Sequence, residues 1–155
     1  MSLFREEGKY DFNNIYMSNI KTNSKALLHF IYSDININGM EVENITCVGD
    51  RSDTSFILYD SGENDMKMSI NNLKIKNSLS NGPFIKIKGD SNKIKFENFN
   101  LVNITSYGSI IDNISRKVIN ILKLLYSFFF LLHNKYINYL FISYIRVKLI
   151  CLIFI

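Results

Sequence analysis

The sequence predicts an all-β fold, a right-handed parallel β-helix of about four coils followed by a hydrophobic tail. Three observations carry that expectation. A nine-residue pattern recurs four times between residues 12 and 104, strand-like alternation runs through each copy, and the strongest helix former is almost missing. Ala26 is the only alanine, Pro83 the only proline, and glutamine and tryptophan are absent.

The four copies begin at Phe12, Ile37, Ile70 and Phe96, at spacings of 25, 33 and 26 residues. Such spacing suits solenoid coils joined by loops of unequal length. In each copy the leading apolar residue ends a short strand with period two, as in Ile35/Ile37 and Met66/Met68/Ile70. Two residues later stand Asn14, Gly39, Asn72 and Asn98, residue types that tolerate the left-handed conformation, so each is expected to turn a corner.

Alternation then resumes with Ile15/Met17, Met40/Val42, Leu73/Ile75 and Phe99/Leu101, and two residues further every copy has asparagine: Asn19, Asn44, Asn77 and Asn103. After a loop, another apolar strand is expected at Leu28–Tyr32, Phe56–Tyr59, Phe84–Ile87 and Ser109–Ile111. Each coil therefore reads strand, corner, strand, Asn turn, loop, strand. If the coils align on the repeat, Glu41 lies over Lys74 and Glu43 over Lys76, opposite charges one strand spacing apart.

The pattern resembles the pectin-lyase-like right-handed β-helix superfamily across roughly residues 10 to 112. The resemblance implies that Asn19, Asn44, Asn77 and Asn103 stack as a ladder with their amides turned inward. A leucine-rich repeat is the competing architecture. It requires asparagine three residues after the last apolar position, whereas here it falls two after in all four copies.

The net charge of +4 conceals two regions. Residues 1–115 hold 12 basic and 14 acidic side chains, a net of −2, while residues 116–155 hold six basic and no acidic ones. The repeat region thus lacks the basic excess that nucleic-acid binding requires, and no nucleic-acid partner is expected. Outward Lys74, Lys76, Lys86, Lys88, Lys93 and Lys95 form a modest candidate patch for acidic polysaccharide, weighed against a merely solvated strand face.

The strongest polar cluster is Asp50, Arg51 and Asp53 in the loop beginning at Gly49, a weak candidate for binding. Relatives with lyase activity place Asp and Arg on such a face with Ca²⁺ bridging substrate carboxylates, but no neighbouring coil aligns further carboxylates here. Polygalacturonase-like chemistry would need clustered Asp pairs with His-Gly and Arg-x-Lys elements. Pectin methylesterase chemistry would need glutamines. His29 and His133 have no partner at triad or metal-ligand spacing.

Cys47 and Cys151 suggest neither a disulfide framework nor a metal site. No catalytic residue, metal or cofactor is therefore expected. Of three glycosylation sequons, those at Asn44 and Asn103 coincide with the inward ladder and are read as structural, leaving Asn113 as the available one.

Residues 1–115 are expected to form the repeat domain and 116–155 a separate basic, apolar tail. The tail admits two readings. It is a membrane anchor, helical and short for a bilayer of ~30 Å with Lys123 inside it, or it is the translation of AT-rich non-coding DNA. The start at Met1 shows no apolar signal region.

The expected function is a non-catalytic structural or adhesive solenoid at the cell surface or outside the cell, binding polysaccharide or a surface protein over several coils. The alternatives are a truncated carbohydrate-active enzyme lacking its catalytic coils, and a tail-anchored membrane protein. End-to-end self-association through the open coil ends is also expected.

Overall fold

A computed structural model describes residues 8–50, 54–115, 119–121, 124–127, 147–149 and 152–154, with side chains described to residue 115. The chain is an all-β parallel solenoid of about four turns, with no helix among the described residues.

Four bent strands stack in order: β1 (Gly8–Ser18), β4 (Ser33–Glu43), β7 (Met66–Ser80) and β9 (Asn92–Ser106). A second sheet stacks β3 (Ala26–Ile31), β6 (Ser55–Asp60), β8 (Ile85–Lys88) and β10 (Ile111–Asn113). Every pairing is parallel, and the register follows the repeat, with Phe12 opposite Ile37, Ile37 opposite Ile70, and Ile70 opposite Phe96.

The bends follow one rule. Asn14, Gly39, Asn72 and Asn98 have φ of 53°, 78°, 57° and 55°, and Asn19, Asn44, Asn77 and Asn103 have φ of 56°, 54°, 46° and 51°. A left-handed residue interrupts alternation, so inward positions fall three apart across each corner and two apart between corners. Ile37, Met40, Val42 and Ile45 are all buried for this reason, as are Ile70, Leu73, Ile75 and Ser78. Ser78 is the polar exception; its hydroxyl donates to the Lys76 carbonyl at 2.6 Å and accepts the Ile45 N–H at 3.1 Å.

Asparagine suits both corners because its short amide lowers the cost of the left-handed conformation. Glycine at 39 has a second reason. A Cβ there would lie 2.9 Å from Asn14 Oδ1, whose side chain covers it.

After the second corner each coil has an extended stretch that the sequence reading assigned to loop. β2 (Lys21–Thr22), β5 (Thr46–Cys47) and the ends of β7 and β9 pair through Lys21↔Thr46↔Leu79↔Thr105. A coil therefore has four extended stretches rather than three.

Stacks such as Ile37–Ile70–Phe96 and Met40–Leu73–Phe99 fill the interior. Each such side chain contributes about 1.5–3 kcal/mol through burial, far more than any exposed charge pair along the coils. Strand β6 is buried on both of its faces: Phe56, Ile57, Leu58 and Tyr59 are all buried, and Tyr59 donates its hydroxyl to the Ser33 carbonyl at 3.1 Å.

Of the tail, four strands are described: β11 (Ile119–Ile121) and β12 (Leu124–Ser127), paired with β9, and β13 (Val147–Leu149) and β14 (Leu152–Phe154), paired with β11 and β12. The rest of the tail, on which the expectation of a helical anchor largely falls, lies outside the described residues. Among the described residues no helix is long and apolar enough to cross a membrane.

Candidate functional site

The second-corner asparagines stand at the surface, correcting the expected inward ladder. The left-handed break is the cause: it returns the following residue, such as Ile45, to the interior and turns the asparagine out. Asn44 Nδ2 donates to Asn19 Oδ1 at 3.1 Å, and Asn103 Nδ2 to Asn77 Oδ1 at 2.8 Å. Between the middle coils Asn77 Nδ2 reaches Glu43 Oε1 at 3.4 Å instead.

The sequon reading reverses accordingly, since Asn44 and Asn103 are exposed while Asn113 is buried. The signal was present in the sequence. The second asparagine follows its apolar residue by two positions, as the first corner does, and the two corners are the same device.

At the first corner Asn98 Nδ2 donates to Asn72 Oδ1 at 3.1 Å and to Asn71 Oδ1 at 3.3 Å, and Asn71 Nδ2 to Asn38 Oδ1 at 3.4 Å. Beside this row runs a groove of about 650 Å³, crossing all four coils along the solenoid axis. Its walls are the corner residues Asn14, Gly39, Asn72 and Asn98, and the outward row two positions later: Tyr16, Glu41, Lys74 and Asn100. That second row is in direct register, Tyr16↔Glu41↔Lys74↔Asn100.

The charges in the groove are mutually engaged. Glu41 Oε1 lies 3.0 Å from Lys76 Nζ and 3.3 Å from Lys74 Nζ. Lys76, and then Lys74, hold the Glu41 carboxyl below the ordinary glutamate value, and Glu41 raises Lys76. Glu41 and Lys74 thus meet directly across the ladder, while Lys76 reaches diagonally to Glu41 and stays within the field of its register partner Glu43.

The expected lysine patch is smaller than its sequence suggests. Lys86 is 7% exposed, because β8, like β6, is buried on both faces. Lys93 pairs with Asp65 at 2.8 Å and Lys95 with Glu97 at 3.0 Å. Lys88 is half-buried.

Asp50 is exposed beside a hollow of about 400 Å³ lined also by Asn23, Lys25, Val48, Gly49 and Thr54. Arg51 and Asp53 lie outside the described residues, so this candidate cluster is described only through Asp50. Thr54 Oγ1 is buried there without a hydrogen-bond partner among the described residues, and its crowding against Gly49 leaves no room for a Cβ at that position.

His29 is half-buried on β3, opposite Leu58. Cys47 is fully buried, and burial pushes its thiol up to about 11. Among the described residues no group of His, Cys, Asp and Glu is placed to hold a metal ion.

Fold and groove together define the class: a parallel β-solenoid with a shallow groove, lined by both polar and apolar groups, along its coils. Comparison with protein-family models, curated proteins and solved structures found no match.

Proposed function

We propose that this chain is a non-catalytic surface solenoid that binds an extended ligand, carbohydrate before protein, along its coils. The observation supporting this reading is the groove crossing four coils, walled by repeated amides and one exposed tyrosine. A linear ligand along the axis meets a corner amide on three of the four coils, Asn14, Asn72 and Asn98, so modest contacts add along its length. The coil pattern supports membership in the pectin-lyase-like superfamily, and with it an extracellular or cell-surface setting.

End-to-end association belongs to the same proposal. On β1 the inward residues Tyr10, Phe12, Ile15 and Met17 are only half-buried, whereas their partners Ile35, Ile37, Met40 and Val42 are buried. The β1 coil therefore keeps apolar surface that another coil can cover.

The test is retention of the full-length chain on a panel of immobilised linear polysaccharides, neutral and anionic. Saturable retention on at least one, lost when the chain is unfolded, is the expected result. Absence of retention on every member would overturn the carbohydrate reading.

A further inference from the structure

The groove also has a chemistry of its own, and we infer that it takes a linear, uncharged, hydroxyl-rich glycan lying along the solenoid axis with one sugar ring stacked on Tyr16. The inference rests on the carbohydrate reading above and narrows it.

Dimensions come first. Adjacent rungs of a sheet are about 4.8 Å apart, so the row from Tyr16 to Asn100 spans about 14 Å. A rung is comparable to the advance per ring in an extended glycan, so successive sugars meet successive coils. The groove is shallow and open along its length, which suits a chain passing through rather than a small molecule enclosed.

Hydrogen-bonding capacity is the second argument. The side-chain amides of Asn14 and Asn100 have no partner among the described residues, and Asn72 uses only its oxygen, as acceptor for Asn98. An amide offers two donors and a carbonyl acceptor, which matches hydroxyl groups that both donate and accept. Tyr16 is 63% exposed, the most exposed of the large apolar side chains among the described residues, and stands at one end of the row, where its aromatic ring is accessible to a sugar.

Charge excludes the other glycan class. Among the described residues Lys74 is the one cation lining the groove, and it is engaged by Glu41, which also holds Lys76. Lys93 and Lys95, further along the outer surface, have carboxylates of their own. A polyanion entering here would meet the Glu41 carboxylate and would have to break existing ion pairs. A neutral glycan leaves them intact.

The test uses the full-length chain and calorimetric titration with neutral linear hexasaccharides of glucose, mannose or xylose, and with oligogalacturonate and a sulfated glycan as the charged set. Binding to a neutral chain that persists as salt is raised is expected. Tyr16→Ala should weaken it about three- to tenfold, the loss of one aromatic contact. Asn100→Ala should weaken it as well, and Lys95→Ala, outside the groove, should leave it unchanged.

Salt-sensitive binding confined to the anionic glycans would overturn this inference while leaving the carbohydrate reading standing. Neutral binding indifferent to both Tyr16→Ala and Asn100→Ala would overturn the groove as the site. Failure with every glycan would overturn both.

Discussion

Replacing Asn72 separates the two things a corner asparagine does. Its φ of +57° is a conformation that costs an ordinary L-residue about 1–2 kcal/mol, and its Oδ1 accepts one exposed hydrogen bond from Asn98. Asn71, its neighbour, also takes part in side-chain hydrogen bonds with adjacent coils, to Asn38 and from Asn98, but lies in ordinary strand conformation. Asn71→Ala therefore removes bonds alone, at a cost of about 0.5–1 kcal/mol. Asn72→Ala removes a bond and adds the backbone strain, for a total of about 1.5–2.5 kcal/mol. With a urea m-value of roughly 2 kcal/mol/M, its midpoint should fall by about 1 M, and that of Asn71→Ala by about half as much or less.

Asn72→Gly should recover part of the Asn72→Ala loss, because glycine enters the left-handed region freely. Far-UV circular dichroism during urea titration reads all three variants. Equal losses for Asn71→Ala and Asn72→Ala, with no recovery in Asn72→Gly, would refute the corner as a conformational requirement.

Three other expectations follow from the same geometry. Ile70→Ala, at a fully buried site in the middle of the stack, should cost about 2–5 kcal/mol, while Ile15→Ala on the half-buried β1 coil should cost less than half of that; equal losses in urea titration would count against the stacked core. Glu41 should titrate below ordinary glutamate in carbon-detected NMR. A depressed acid contributes its stabilisation above the ordinary value and loses it as pH falls through the depressed one, whereas raised Lys76 contributes below the ordinary lysine value and loses it as pH rises through the raised one. The Glu41–Lys76 pair should thus be intact across neutral pH, and Lys76→Ala should move the Glu41 midpoint upward; an unmoved midpoint would remove Lys76 as the cause. Cys47, buried and with its thiol pushed up to about 11, should resist alkylation at neutral pH until urea unfolds the chain, as followed by mass spectrometry of its peptide; rapid labelling of the folded protein would contradict its burial.

Much of the architecture was legible because it is written locally. Apolar spacing around Asn14, Gly39, Asn72 and Asn98 defined the first corner, and opposite charges at Glu41 and Lys74 agreed with the register that the structure shows. The inward orientation that the resemblance implies does not hold, because the spacing of Asn19, Asn44, Asn77 and Asn103 is already that of an outward corner. The short stretch after that corner escaped because two residues, such as Thr46–Cys47, are too few to show a period. Lys86 was misplaced because alternation stops discriminating in a strand buried on both sides. The groove was half visible: its asparagine row was identified, but the row of Tyr16, Glu41, Lys74 and Asn100 varies in residue type and is recognised only when the coils are stacked.

The paired corners also divide each coil into a measured part and a free part. From Ile37 to Ile45, and in the equivalent nine residues of every other coil, each position has a fixed orientation set by two left-handed breaks. The connecting segments differ in length from coil to coil without disturbing the next nine. One residue added inside the measured part would turn apolar side chains to solvent and amides to the interior, whereas many added in the exposed turn at Glu63–Asp65 would only enlarge that turn. The scaffold can therefore vary its outer decoration freely while the spacing of its groove stays constant, much as a ruler keeps its graduations whatever is hung from its edge.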